Sequence, residues 1–307
     1  MSRFSRISMV VLIGLVVVAG VCAQEPYRVG VLRGPTAVAF APLIEDAPRL
    51  GGDRALEIVT YSTPPNLISA YLAGEVDAAT LPSNAAAQLF GRGAPVEVAS
   101  TFIWGVLYLV GPKGVEIHDL SGPVHSIGRG ATPDVVFRYV LEEEGLTNAI
   151  AVEYGFAQVE LSQLLIAGRV SAGVLPEPFV TRVLAENDTL GVVADLQKLF
   201  EEHAGVGMPQ TVLVTRPADR NAHAVVALLE ESVERVLADP EAAGALVSDL
   251  GLGLDRETVV SSLPRLNLRV ETAAESEPAL RSYLRILHEF EPASVGGSLP
   301  ADEFYGE

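Results

Sequence analysis

Short apolar runs alternate with longer amphipathic ones through most of the chain. In the first third this pattern predicts strands at 27–33, 56–61 and 78–81. Helices are predicted at 36–50, 64–73 and 83–91. A second stretch repeats the plan, with strands at 125–128, 150–154 and 172–175 and helices at 133–144, 159–167 and 178–186. Short strands alternating with helices indicate βαβ units and a mostly parallel sheet. Several helix starts carry a chemical mark. Thr63-Pro64, Thr132-Pro133 and Glu177-Pro178 each place an oxygen-bearing cap before proline at the first helical position, and Ser83-Asn84 offers a cap without the proline.

The two stretches also match residue by residue. Gly74-Glu-Val-Asp-Ala-Ala-Thr-Leu-Pro82 and Gly168-Arg-Val-Ser-Ala-Gly-Val-Leu-Pro176 agree at five of nine positions and lie 94 residues apart. Upstream, Arg33-Gly34-Pro35-Thr36 and Arg129-Gly130-Ala131-Thr132 share R-G-x-T at a spacing of 96. Two matched motifs at nearly one spacing mark an internal repeat.

Between the units, 96–110 is one long apolar run ending in Gly111-Pro112-Lys113-Gly114. After the second unit, 210–215 reads as a β-branched strand. From Pro217 the sequence is helical nearly to Phe290, punctuated by Asp239-Pro240 and by Gly251 to Gly253. Residues 292–307, rich in Pro, Gly and Ser, are expected to wrap the surface as coil. The plan is therefore α/β: two Rossmann-like lobes joined by a two-strand hinge, with a ligand cleft between them. Residues 24–111 and 211–307 form the first lobe, and 112–210 the inserted second lobe. The crossings are expected near Gly111 and Gln210.

Residues 1–23 read as a signal peptide. Arg3 and Arg6 precede an apolar run over 9–21, and small residues favour cleavage after Ala23. The alternatives are a retained anchor, or a lipoprotein joined through Cys22, against which Val21 is bulky for a lipidation site. The run is short of the roughly 20 residues that span a bilayer. The localisation expected is periplasmic or extracytoplasmic.

Composition narrows the choice. The 307 residues are 49% hydrophobic and 20% charged, too apolar for disorder, and the length suits two domains. With 21 basic against 39 acidic residues the net charge is −18, which opposes nucleic acid phosphates. One cysteine excludes a disulfide framework and a cysteine-based zinc site.

Ligands of open parallel sheets bind at the carboxyl ends of strands, beside helix N-termini. Here those places are Gly34-Pro35-Thr36, Pro82-Ser83-Asn84, Gly130-Ala131-Thr132 and Pro176-Glu177-Pro178. Thr36, Ser83, Asn84 and Thr132 are the polar candidates. Glu177 can accept from a ligand amine or cap its own helix. Arg33 and Arg129 can pair with an oxyanion or with surface carboxylates. Trp104 lies in an apolar strand just before a crossing, where it packs in the core or stacks on a ligand; Tyr108 is a weaker candidate of the same kind.

Catalytic readings find little support. The histidines at 118, 125, 203, 223 and 288 are scattered, and no zinc, G-x-S-x-G or P-loop motif is present. Gly91-Arg-Gly93 reads as a helix cap, and Glu142-Glu143-Glu144 as solvated charge. No catalytic residue, cofactor or metal is expected.

With these residues assembled, the chain resembles the type II periplasmic binding proteins of ABC transporters. More narrowly, it is similar to the branch that binds sulfonates, nitrate or thiamine-pyrimidine precursors. The likeness rests on the signal, on R-G-P-T at the first helix and on Gly74-x-Val-Asp-x-x-x-Leu-Pro-x-Asn-x-Ala-Ala87. It rests also on Leu-Pro-Glu-Pro-Phe179 and the double crossing, and spans essentially all the mature chain. The resemblance implies two hinged lobes that close on one small molecule and hand it to a permease. Carried over by position, the contacts fall at Pro35, Thr36, Ser83, Asn84, Ala131, Thr132 and Glu177. A monomer is expected. An enzyme of the same fold, in pyrimidine or menaquinone synthesis, is the alternative, although the cysteine-rich motif of the pyrimidine-forming branch is absent here. A ligand-sensing protein is another.

Overall fold

The computed structural model describes residues 25–51 and 54–306. The signal-peptide segment, its cleavage point and Cys22 lie outside the described residues. The first unit folds as β1 (Tyr27–Leu32), α1 (Pro35–Asp46), β2 (Arg49–Leu50), β3 (Arg54–Tyr61), α2 (Pro64–Ala73), β4 (Ala78–Pro82) and α3 (Ser83–Gly91). Helix α2 keeps its expected bounds for local reasons. Thr63 is extended at the N-cap, Pro64 follows, and Gly74 ends the helix at φ 77°. Helix α1 stops short of the expected Leu50. Ala47 turns left-handed at φ 44° ahead of Pro48, which cannot continue a helix, and Arg49–Leu50 becomes an edge strand instead.

The long apolar run divides into β5 (Glu97–Ile103) and β6 (Leu107–Pro112). They belong to different sheets. The outbound crossing is therefore at 104–106, not near Gly111. The second unit follows as β7 (Val124–His125), α4 (Thr132–Glu143), β8 (Val152–Glu153), α5 (Gln158–Ile166), β9 (Gly173–Pro176) and α6 (Phe179–Glu186). Strand β7 is shorter than expected, because Gly128 and Gly130 bend the chain at φ 65° and 75°. Then come β10 (Leu190–Asp195), α7 (Leu196–Ala204) and β11 (Thr211–Thr215). The C-terminal third holds α8 (Ala222–Ala238), α9 (Pro240–Asp249), α10 (Arg256–Ser262), β12 (Leu268–Thr272) and α11 (Ala273–Phe290). Strands β10 and β12 and helix α7 are additions to the sequence reading.

The first sheet has the order β12-β5-β11-β4-β1-β3-β2 and the second β10-β6-β9-β7-β8. The core of the first, β3-β1-β4-β11-β5, has the same plan as the second read backwards, β8-β7-β9-β6-β10. In each, parallel strands of the repeat are joined in fourth place by an antiparallel strand that has just come through a crossing. The repeat seen in the sequence is thus a repeat of sheet topology.

The apolar core does not divide cleanly between the lobes. One buried cluster runs from Leu67 and Leu81 to Phe137 and Phe200, with Tyr283 and Leu287 of α11 between them. Tyr283 meets Phe200 at 5.6 Å and Phe290 meets Tyr139 at 5.8 Å between ring centroids. The tail is not surface coil. Short 3-10 turns at Pro292–Val295 and Asp302–Phe304 bury Val295 and Phe304, the latter against Phe90. Among the described residues, no helix is long and apolar enough to cross a membrane.

Candidate functional site

Register places the strand ends. Pro82, the last residue of β4, pairs with Thr211, the first of β11. In the second sheet Pro176, the last residue of β9, pairs with Leu107, the first of β6. Both crossings therefore leave at the carboxyl ends of the parallel strands, and the two sets of ends face one another across the hinge. The starts of α1, α3, α4 and α6 follow β1, β4, β7 and β9, the kind of place where parallel sheets hold their ligands.

The hinge is tied by side-chain amides. Gln210 Oε1 accepts from Val106 N–H at 2.9 Å, and Gln197 Oε1 from Leu107 N–H at 2.9 Å. Gly105, at φ 98°, lets the chain pass so close that a Cβ there would lie 2.5 Å from that of Gln197. Gly207 gives the Trp104 ring the same access, at 2.8 Å.

These features can be compared with known proteins. A crystal structure of an ABC transporter from Parabacteroides distasonis matches with a TM-score of 0.83 at 29% identity, covering 92% of this chain and 99% of that one. The periplasmic aliphatic sulphonate binding protein SsuA from Escherichia coli matches at 0.69 and 16% identity, over 89% and 96%. The alkanesulfonate-binding protein SsuA from Xanthomonas axonopodis bound to MOPS matches at 0.62 and 17%, over 92% and 98%. No protein-family profile and no curated protein matches the chain. The chain has the fold of a type II periplasmic binding protein.

Within this binding-protein fold, several expected contact residues already hold partners from the C-terminal third. Ser83 is buried; its hydroxyl donates to the Pro209 carbonyl and its N–H to the Gln210 carbonyl. Asn84 Nδ2 donates to the Ser294 carbonyl at 3.3 Å, which ties α3 to the tail. Thr132 is the first residue of α4 and does not cap it, because Ala131, exposed, is the N-cap. Thr132 lies instead beside the Tyr283 phenol, which burial pushes up and this contact pulls back. Pro35 and Thr36 occupy the first turn of α1. Thr36 is 8% exposed, and its hydroxyl has no hydrogen-bond partner among the described residues.

Glu177 precedes Pro178, the N-cap of α6, and reaches back to the first turn of its own helix. Its carboxylate accepts from Thr181 N–H at 3.1 Å and from the Thr181 hydroxyl at 3.0 Å, and it pairs with Arg265. Trp104 is 6% exposed and packs at the hinge, its N–H bonded to the Arg269 carbonyl. Tyr108 is buried, and its hydroxyl donates to the Arg265 carbonyl at 3.0 Å. Burial is the main cause that raises its pKa. Arg129 lies over the Tyr154 ring at 4.8 Å, while Arg33 is exposed beside the start of α1.

Sequence reasoning missed Arg265, Asn267, Gln197 and Gln210. All four act on partners far away in the chain, and no local motif announces them. It also missed Asp134, fully buried in the first turn of α4, which accepts from Gly130 N–H at 2.7 Å and from the Tyr154 hydroxyl at 2.6 Å. Asp195 caps α7 beside the hinge, and burial raises its pKa. A separate cavity of about 730 Å³ lies at the opposite pole of the first lobe, between the start of β5, the end of β11 and the tail. No group of three His, Cys, Asp or Glu among the described residues is placed to hold a metal ion.

Proposed function

We propose that this protein is an exported solute-binding protein that captures one small molecule between its lobes and delivers it to an ABC transporter permease. The observation that carries this reading is the pair of matched sheets whose strand ends face each other across a double crossing. The likeness to the Parabacteroides distasonis ABC transporter, over nearly all of both chains, supports it. The protein acts as a monomer and binds its solute without chemical change.

Two ligand classes are open, a thiamine-pyrimidine-like heterocycle and a sulfonate- or nitrate-type oxyanion. Likeness to two sulfonate-binding proteins favours the oxyanion. So does Arg33, an exposed cation beside the start of α1 that can meet an oxyanion bidentately.

The test is to purify the protein from its own host and identify the retained small molecule by mass spectrometry. An alkanesulfonate, nitrate and an aminopyrimidine are then compared by thermal shift. A true ligand at about 100 times its Kd adds roughly 2.7 kcal/mol of stability. The intact mass of the same preparation reports cleavage after Ala23. No retained solute and no shift would overturn the binding reading, and turnover of the solute would make the protein an enzyme of this fold.

A further inference from the structure

We propose that Arg265 is a positioning residue that latches the two lobes together and couples the hinge to the first turn of α6. This rests on the binding reading only for its effect on ligand uptake; the latch itself can be tested with no ligand present.

Arg265 leaves the end of α10, on the first lobe, and reaches the second. Its Nε pairs with Glu177, and its Nη2 donates to the Thr181 hydroxyl at 2.5 Å and to the Ser261 carbonyl at 3.0 Å. The Glu177 side chain is fully buried and that of Arg265 27% exposed. A charge so placed depends on its partner, since removing one member leaves the other buried and uncompensated.

The residues that follow bind the same segment to the hinge. The Arg265 carbonyl accepts from the Tyr108 hydroxyl, and Asn267 Nδ2 donates to the Gly105 carbonyl at 2.8 Å. Asn267 itself turns left-handed at φ 46°, and its carbonyl accepts from Trp104 N–H at 3.1 Å. Residues 265–269 thus form a strap from the first lobe that grips the outbound crossing at one end and Glu177 at the other. Beside the strap, where α6 meets α10, lies a groove of about 420 Å³ lined by Thr181, Glu186, Asp255 and Thr258. On this flank the lobes are joined by polar contacts next to open space. Such a junction can break and re-form without tearing a packed core.

The experiment is an interlobe distance measurement on protein freed of small molecules. Leu72 in α2 and Val159 in α5 are 51% and 48% exposed and lie on different lobes. With Cys22→Ser, Leu72→Cys and Val159→Cys, the chain carries two spin labels and no other cysteine. The latch predicts one narrow distance distribution for this background. Arg265→Gln should add a longer-distance component, and Arg265→Lys and Thr181→Val smaller ones. If Arg265→Gln fails to fold, Arg265→Lys and Thr181→Val still decide. A purely structural role would lower the melting temperature and leave the distances unchanged, which would overturn the proposal. A background already spread to the long distance would overturn it as well. Failure to find a transported solute would touch the binding reading and not this distance.

Discussion

Trp104 and Arg269 clasp each other at the hinge: the indole N–H donates to the Arg269 carbonyl at 2.8 Å while the guanidinium lies over the ring at 4.3 Å. Gly207 also passes close to the same ring. At 6% exposure the indole is packed into the hinge.

Trp104 is the one tryptophan of the chain, so its fluorescence reports this clasp. Trp104→Phe should cost about 1–2 kcal/mol, from the lost hydrogen bond and the carbonyl left unpaired. Urea melts followed by circular dichroism check the value. A loss under about 0.3 kcal/mol would show that the Arg269 contact carries no weight.

Gly105→Ala tests the hinge backbone. Its Cβ would meet Gln197 at 2.5 Å and the Met208 methyl at 2.7 Å, at a φ of 98° that side chains avoid. Overpacking and backbone strain together should destabilise by about 2–4 kcal/mol. Thermal unfolding reads it directly, and a neutral result would mean that the crossing relaxes freely.

Thr36 and Thr132 separate a ligand contact from a structural one. The Thr36 hydroxyl is unpartnered among the described residues, so Thr36→Ala should weaken binding of the retained solute by roughly 1–3 kcal/mol with little change in melting. Thr132→Ala should act mainly on stability, by about 1 kcal/mol, through its contact with buried Tyr283. Calorimetry and melts on both variants decide. The opposite pattern would place the solute on the second lobe alone.

Glu144 should confer a pH-dependent share of stability. It accepts from His203 at 2.6 Å and from His118 at 2.8 Å. The His203 bond is the largest cause that lowers its pKa below the ordinary 4.5, and the His118 bond adds to it. A lowered carboxyl pKa means stability that is present above pH 4.5 and lost as pH falls through the folded value. Glu144→Gln should thus cost up to about 1 kcal/mol near pH 5.5, since His118 is largely exposed, and almost nothing near pH 3. Melts across that range check it; a gap that widens toward acid would refute the assignment.

How much of this was legible beforehand follows from the range of the forces involved. Helix α2 could be bounded from sequence because its signals, Thr63, Pro64 and Gly74, act within one turn of its ends. The repeat could be read because each unit must bury the same faces against the same kind of sheet, which leaves matching apolar positions 94 to 96 residues apart. By itself, then, the sequence determined the α/β alternation, the pairing of two similar sheets and the helix starts that follow their strand ends.

Tertiary structure alone decided where the chain crosses and what those helix starts hold. An apolar run looks the same whether it makes one strand or two, so the break at Trp104 to Val106 depended on which sheet each half could join. Strand β12 alternates weakly and exists because the exposed edge of β5 was there to pair with it. Glu177 could serve a ligand or its own helix until Arg265 arrived from 88 residues away. A buried carboxylate takes the partner that folding delivers, and no pattern local to either residue announces that the two will meet.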